Sequence, residues 1–138
     1  MQQDDLYQRE LDGHLERCLL DRRYFFASHL RVVDEKSKLV QFGKLFPTQS
    51  MIQDRIDKDA FEGRPTRIIV LKSRRHRIST LCAANIFHAC IFGENRRGYI
   101  VAHDRDTSEL LFRFHSTFYE NLPDIIRPMK RFSNRKEL

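Results

Sequence analysis

The chain has 138 residues, and 25 Lys and Arg against 19 Asp and Glu give it a formal net charge of +6. This length allows a single domain, and 41% hydrophobic residues with eleven Phe exclude a disordered, collagen-like or coiled-coil chain. The positive charge favours polyanionic partners, and a basic domain that binds no nucleic acid fits it equally well. Three Cys without a C-x-x-C pair argue against a disulfide framework or a zinc ribbon, so we expect a reducing compartment.

The first half of the chain predicts helices and one small hairpin. Apolar residues recur at three- and four-residue spacing over residues 4–20, which predicts a helix. Two β-prone runs, 30–33 and 39–42, flank a polar turn and predict a β-hairpin. Pro47 fits the first turn of a further helix, and residues 57–66 are polar and predict a surface connection.

The second half predicts strands that alternate with helices. Residues 67–71 and 99–102 form continuous apolar runs that are typical of strands buried on both faces. A helix over 80–92, with Ser79 as its cap, follows the first run. A helix with a capping box made by Asp106 and Glu109 follows the second.

This order predicts an α/β fold, a partial P-loop NTPase-like parallel sheet preceded by a helical and hairpin segment. We therefore divide the chain into an N-terminal segment, 1–66, and the first half of an ATPase core, 67–138. Two parallel strands make a poor sheet by themselves, so a further strand is expected beyond Leu138.

The loop Lys72–Thr80 is the most informative stretch for chemistry. A strand, a basic loop and a helix N-terminus with a hydroxyl form an arrangement that binds phosphates, because free N–H groups and the helix dipole attract anions. The loop contains no Gly, and Arg77 and Ile78 stand where the usual P-loop pattern has Gly and Lys. A generic basic loop is the alternative interpretation. His76, His88, His103 and His115 show no metal-ligand spacing.

Several segments together resemble the start of the ATPase domain of the terminase large subunit, the DNA-packaging motor of tailed phages. The resemblance covers about residues 20 to 138. Its segments are Arg67–Arg75 with Ser79–Leu81, Ala102–Thr107, Phe118–Pro123, Ser133–Lys136 and, upstream, Tyr24-Phe25, Leu39–Phe42 and Phe46–Gln49.

The resemblance implies roles for six residues at a site for ATP and Mg²⁺. Lys72 matches the early Lys of the family's deviant Walker A loop, and Arg74 and Arg75 lie where a basic residue is proposed to reach the γ-phosphate. Ser79, with Thr80 beside it, matches the hydroxyl on the Mg²⁺ side. Gln49 resembles the upstream glutamine that recognises adenine. The alternative roles are a solvated strand end for Lys72, a helix cap for Ser79 and a surface position for Gln49.

Two departures from the family pattern are visible. Arg77 replaces a Gly, and a non-Gly residue in a left-handed backbone conformation costs roughly 1–2 kcal/mol, so we expect impaired ATP binding. The Walker B acidic residues, the coupling motif and the nuclease domain are absent from the sequence. These departures predict an N-terminal fragment or a truncated reading frame that is inactive alone.

The function that the resemblance implies is ATP-driven packaging of viral double-stranded DNA. The implied partners are DNA, a portal, a small terminase subunit and further copies of the chain in a ring, in the cytoplasm of a bacterial host. The alternative is a non-catalytic module that binds nucleic acid or an intact motor. No stretch approaches the roughly 20 apolar residues that span a bilayer, so no membrane association is expected.

Overall fold

The computed structural model describes residues 2–72 and 76–129, with side chains described from Tyr7 onward. In that part of the chain the elements are five helices and a two-stranded antiparallel sheet. They run in the order α1 (Gln2–Leu20), α2 (Arg22–His29), β1 (Arg31–Val33), β2 (Leu39–Gln41), α3 (Pro47–Phe61), α4 (Ile78–Phe92) and α5 (Arg105–Glu120). No helix among the described residues is both long and apolar enough to cross a bilayer.

The predicted β-hairpin is confirmed, and an Asp stabilises its turn. Val32 pairs with Val40 at the centre of the β1–β2 ladder. The Asp34 carboxylate accepts hydrogen bonds from the backbone N–H groups of Lys36 and Lys38, both at 2.8 Å. The turn contains no Asn-Gly or Asp-Gly, and these hydrogen bonds stabilise it instead.

The core lies between α2, α4 and α5 and is rich in aromatic rings. Phe25 and Phe26 on α2, Phe87 on α4 and Phe118 on α5 are all buried. The ring of Phe87 lies 5.4 Å from that of Phe118 between centroids. The predicted burial of the 80–92 helix is confirmed, since α4 packs against both α2 and α5. The core therefore joins side chains from the 1–66 and 67–138 intervals, and the division into two units stays a prediction.

A pair of amide side chains, one buried and one half-buried, joins α3 to α4. Gln53 is fully buried, and its Oε1 accepts a hydrogen bond from Nδ2 of Asn85 at 2.8 Å. Nε2 of Gln53 donates to the Asp57 carboxylate at 2.7 Å. Because each buried polar group has a partner, this contact holds the two helices in one register.

The predicted parallel sheet is wrong. Residues 67–71 and 99–102 form no strand, and the hairpin is the only sheet in the described part of the chain. Ile69 and Leu71 are fully exposed, at 101% and 102%, and Val101 is 91% exposed. A parallel pair needs cover on both faces, and the helices here bury their apolar faces on one another instead.

Two predicted helix caps are also wrong. The N-cap of α5 is Asp104, whose carboxylate accepts from the backbone N–H of Thr107 at 2.8 Å, whereas Asp106 lies in the first turn. The N-cap of α4 is Arg77, and Ser79 is the second residue of the helix. Asp104 rather than Asp106 is the cap because its backbone is extended, which directs its carboxylate toward the N–H groups of the first turn.

Candidate nucleotide site at the start of α4

A cavity of about 350 Å³ opens where the first turn of α3 meets the loop before α4. It is lined by Glu35, Phe46, Pro47, Thr48, His76 and Arg77. The guanidinium of Arg77 lies over the Phe46 ring, 5.4 Å from its centroid. The cavity thus combines an aromatic face with cationic and acidic groups, and its volume is within the range of small-molecule sites.

Gln49 joins the two segments that form this cavity. Its Oε1 accepts a hydrogen bond from the backbone N–H of Phe46 at 3.0 Å, and its Nε2 donates to the carbonyl of Arg77 at 3.0 Å. Only 3% of Gln49 is exposed. Both ends of its amide are therefore engaged in holding the start of α3 against the start of α4.

Arg77 has a left-handed backbone. Its φ is 51° and its ψ is 25°, in the region that Gly enters without penalty. The turn directs its carbonyl to Gln49 Nε2 and also to the N–H of Leu81, at 3.2 Å, which opens the helix. Gly would adopt this left-handed backbone without strain, whereas Arg77 adopts it at a cost.

The N-terminus of α4 presents backbone donors that the helix itself does not pair. Within the helix, hydrogen bonding begins with Leu81, so the backbone N–H groups of Ile78, Ser79 and Thr80 have no carbonyl of α4 as partner. The first turn of α4 holds no acidic residue. Ser79 is exposed there and Thr80 is half-buried. These donors and the helix dipole together favour an anion.

Lys72 follows residues 67–71, and its side chain is exposed. Burial raises the pKa of the Cys82 thiol of α4, and the Lys72 ammonium opposes that effect by lowering this pKa. The positive charge thus adds to the anion-attracting end of the helix.

The structure brings together Gln49, Arg77, Ser79 and Thr80 at the junction of α3 and α4. Arg74 and Arg75 lie outside the described residues, so their predicted contact with the γ-phosphate stays a prediction. Phe46 and Glu35 line the cavity and were missed by the sequence analysis. Phe46-Pro47 is a visible signal, because an aromatic before a helix-starting Pro is held at the helix entrance. Glu35 carries no such signal, since only the hairpin places it there.

No protein-family model, curated protein or solved structure matches this chain.

Proposed function

We propose that the chain binds an adenine nucleotide with Mg²⁺ as the nucleotide-binding segment of a terminase-type packaging ATPase, and that it does not turn over ATP alone. The observation that carries this proposal is the left-handed Arg77 backbone, held by Gln49 at the N-terminus of α4 beside an open cavity. The terminase resemblance gives the same segment its role in binding phosphate.

In this proposal, the base enters the cavity and the phosphates bind at the end of α4. The Phe46 ring supplies a stacking face, and the Glu35 carboxylate supplies an acceptor for an exocyclic amino group. Gln49 acts as a positioning residue, because its amide already bonds Phe46 and Arg77. This revises the direct contact with adenine expected for Gln49.

The phosphates would take the free N–H groups of the first turn of α4 and the charge of Lys72. Ser79 would hold Mg²⁺ through its exposed hydroxyl, with Thr80 beside it. Arg74 and Arg75 would reach the outermost phosphate. Each of these groups binds or orients the nucleotide, and none of them activates water.

Hydrolysis needs an acidic group that this site does not supply. Asp104 follows residues 99–102. Its carboxylate accepts hydrogen bonds from the backbone N–H and the hydroxyl of Thr107, at 2.8 and 2.7 Å. Among the described residues, Glu35 is the acidic group that lines the cavity, and it lies on the side assigned to the base. The proposed site therefore binds nucleotide without turnover.

The wider setting proposed is a packaging motor in the bacterial cytoplasm. Its other parts would be double-stranded DNA, a portal, a small terminase subunit and further copies of the chain. The net charge of +6 supports a DNA partner through contacts to phosphates.

The test is equilibrium binding of Mg-ATP to the purified chain, by calorimetry. We expect saturable binding that Lys72→Ala abolishes and that Lys58→Ala, an exposed Lys of α3, leaves unchanged. Arg77→Gly should tighten binding, because Gly removes both the backbone strain and the side chain over Phe46. Equal affinity in the wild type and Lys72→Ala would reject the assignment of the loop.

A non-catalytic module that binds nucleic acid or another motor subunit is the second candidate. The observation that favours it is the exposure of residues 67–71, which form no strand in the described part of the chain. Exposed apolar side chains of this kind are available to a partner. DNA binding that weakens steeply with salt, with no nucleotide binding in the wild type or in Arg77→Gly, would put this candidate first.

A further inference from the structure

Two histidines and a cysteine converge between α1 and α2, away from the cavity described above. His14 and Cys18 lie one turn apart on α1, and His29 is the last residue of α2. Nε2 of His14 lies 3.0 Å from Nε2 of His29 and 3.7 Å from Sγ of Cys18. All three donor atoms lie within 4.8 Å of one another.

Two of the three separations are close to what a tetrahedral metal ion requires. With Zn–N of about 2.0–2.1 Å and Zn–S of about 2.3 Å, tetrahedral donor atoms lie roughly 3.3–3.6 Å apart. The two shorter separations in the cluster bracket this range. Small rotations of the side chains would therefore bring all three donors onto one ion.

Neighbouring groups hold the donors in this orientation. The Tyr24 hydroxyl lies 3.0 Å from Nδ1 of His14, so the other nitrogen of that ring points at the cluster. The carbonyl of Cys18 lies 2.9 Å from Nε2 of His88, which ties this turn of α1 to α4. The Phe25 ring packs against His29, 5.7 Å between centroids. Metal-binding His residues usually have a hydrogen-bond partner on the ring nitrogen that does not bind the metal, and the Tyr24 hydroxyl is such a partner for His14.

We propose that His14, Cys18 and His29 form a Zn²⁺ site that clamps α1 to α2. Two imidazole nitrogens and one thiolate are a donor set of intermediate softness that suits Zn²⁺ and does not suit Mg²⁺ or Ca²⁺. Three protein ligands leave a fourth position, which water can reach because His14 and His29 are only half-buried. The site is independent of the proposed nucleotide site, and either can fail without the other.

The first experiment titrates the untagged, metal-stripped chain with Co²⁺ and then with Zn²⁺. We expect one equivalent of Co²⁺ to give the visible bands of a tetrahedral ion and a near-ultraviolet charge-transfer band from a thiolate. One equivalent of Zn²⁺ should remove both. A cluster that is only hydrogen-bonded would give neither band, and that result would overturn the proposal.

Variants then identify the ligands. His14→Gln and His29→Gln should each weaken zinc binding at least tenfold, measured by competition with a chromophoric chelator. The double variant Cys82→Ser/Cys90→Ser keeps Cys18 as its one thiol and should retain the charge-transfer band. Because Cys18 is fully buried, this variant tests the thiol assignment without altering the core around it. Loss of the band there, or unchanged affinity in both His variants, would reject the site.

Tyr24→Phe tests the positioning role of the hydroxyl. It should lower zinc affinity by roughly 10- to 100-fold while the cobalt spectrum keeps its shape, because the three ligands remain. A purely structural role for Tyr24 would change the melting temperature and leave the zinc affinity unaltered.

Discussion

Apolar side chains of the helical core and of the runs 67–71 and 99–102 lie in contrasting environments. Leu81 and Phe118 are fully buried between helices, whereas Ile69 and Leu71 are fully exposed. A helix satisfies its own backbone, so its apolar face can pack against another helix of the same chain. An extended run needs a neighbouring strand for its backbone and cover for both faces. Apolar side chains therefore favour burial, and the core forms where elements of the same chain can pack their apolar faces together.

The largest expected effect is the loss of an aromatic ring from the core. Phe118 is fully buried and contacts the rings of Phe42 and Phe87. Phe118→Ala should lower the free energy of unfolding by about 3–5 kcal/mol, measured by urea denaturation. A loss below about 1 kcal/mol would show that α5 does not pack as described.

Removing one member of the Gln53–Asn85 amide pair should cost less. Gln53→Ala leaves Asn85 Nδ2 without its acceptor on α3, which should lower the free energy of unfolding by about 1–3 kcal/mol. Gln53→Leu/Asn85→Leu should recover part of this loss, because neither group is then left unpaired. A double variant less stable than the sum of the single variants would contradict this account.

The cap of α5 offers a matched pair of aspartates two residues apart. Asp104→Ala should cost about 0.5–2 kcal/mol, because it removes the acceptor of the Thr107 N–H. Asp106→Ala removes only an exposed charge in the first turn and should cost about 0.3–1 kcal/mol. Equal effects in thermal unfolding would restore Asp106 as the cap that the sequence predicted.

Acidic pH should weaken the core through His115. Burial lowers the pKa of His115 below its usual 6.5. The carbonyls of Leu111 and Ala83 oppose this shift, although neither ring nitrogen makes a well-formed hydrogen bond among the described residues. The unfolded chain then binds the proton more readily, so this contribution to stability is complete above pH 6.5 and is lost as the pH falls toward the lowered value.

The variant His115→Leu isolates this effect. Between about pH 7.5 and about pH 5 it should lose less stability than the wild type in urea denaturation. Arg113→Gln, at an exposed position of the same helix, should follow the wild type. A decline in His115→Leu as steep as that of the wild type would assign the pH dependence to other groups.

The smallest effect is expected for the exposed side chains of residues 67–71. Ile69→Ser and Leu71→Ser should change the free energy of unfolding by no more than about 0.5 kcal/mol, because both side chains are already in water. A loss of 2 kcal/mol or more would mean that these residues are buried in solution, and the contrast with the core would disappear.

Local signals predicted most of the helices and the hairpin. The apolar spacing over 4–20, Pro47 and the β-prone runs 30–33 and 39–42 each led to the observed element. The helix after residue 80 was also predicted, together with its burial. These elements depend on the spacing of apolar residues and on backbone preferences, and both are set by residues close together in the sequence.

The candidate sites were predicted less completely. The importance of the segment Lys72–Thr80 was visible from its charge and hydroxyls. The bond from Gln49 to Arg77 was not, since it joins residues 28 positions apart. The i,i+4 spacing of His14 and Cys18 was readable on α1, whereas the approach of His29 depends on how α2 folds back.

The sequence by itself determined most of the helices, the hairpin and the Asp104 cap of α5, because these depend on local backbone energetics and on bonds between residues a few positions apart. Tertiary contacts decided that residues 67–71 and 99–102 pair with no strand in the described part of the chain, that Gln49 bonds the left-handed Arg77, and that His14, Cys18 and His29 meet. A parallel sheet can form only when distant segments supply neighbours and cover. In the described part of this chain, the helices bury their apolar faces on one another, and Ile69, Leu71 and Val101 are left exposed.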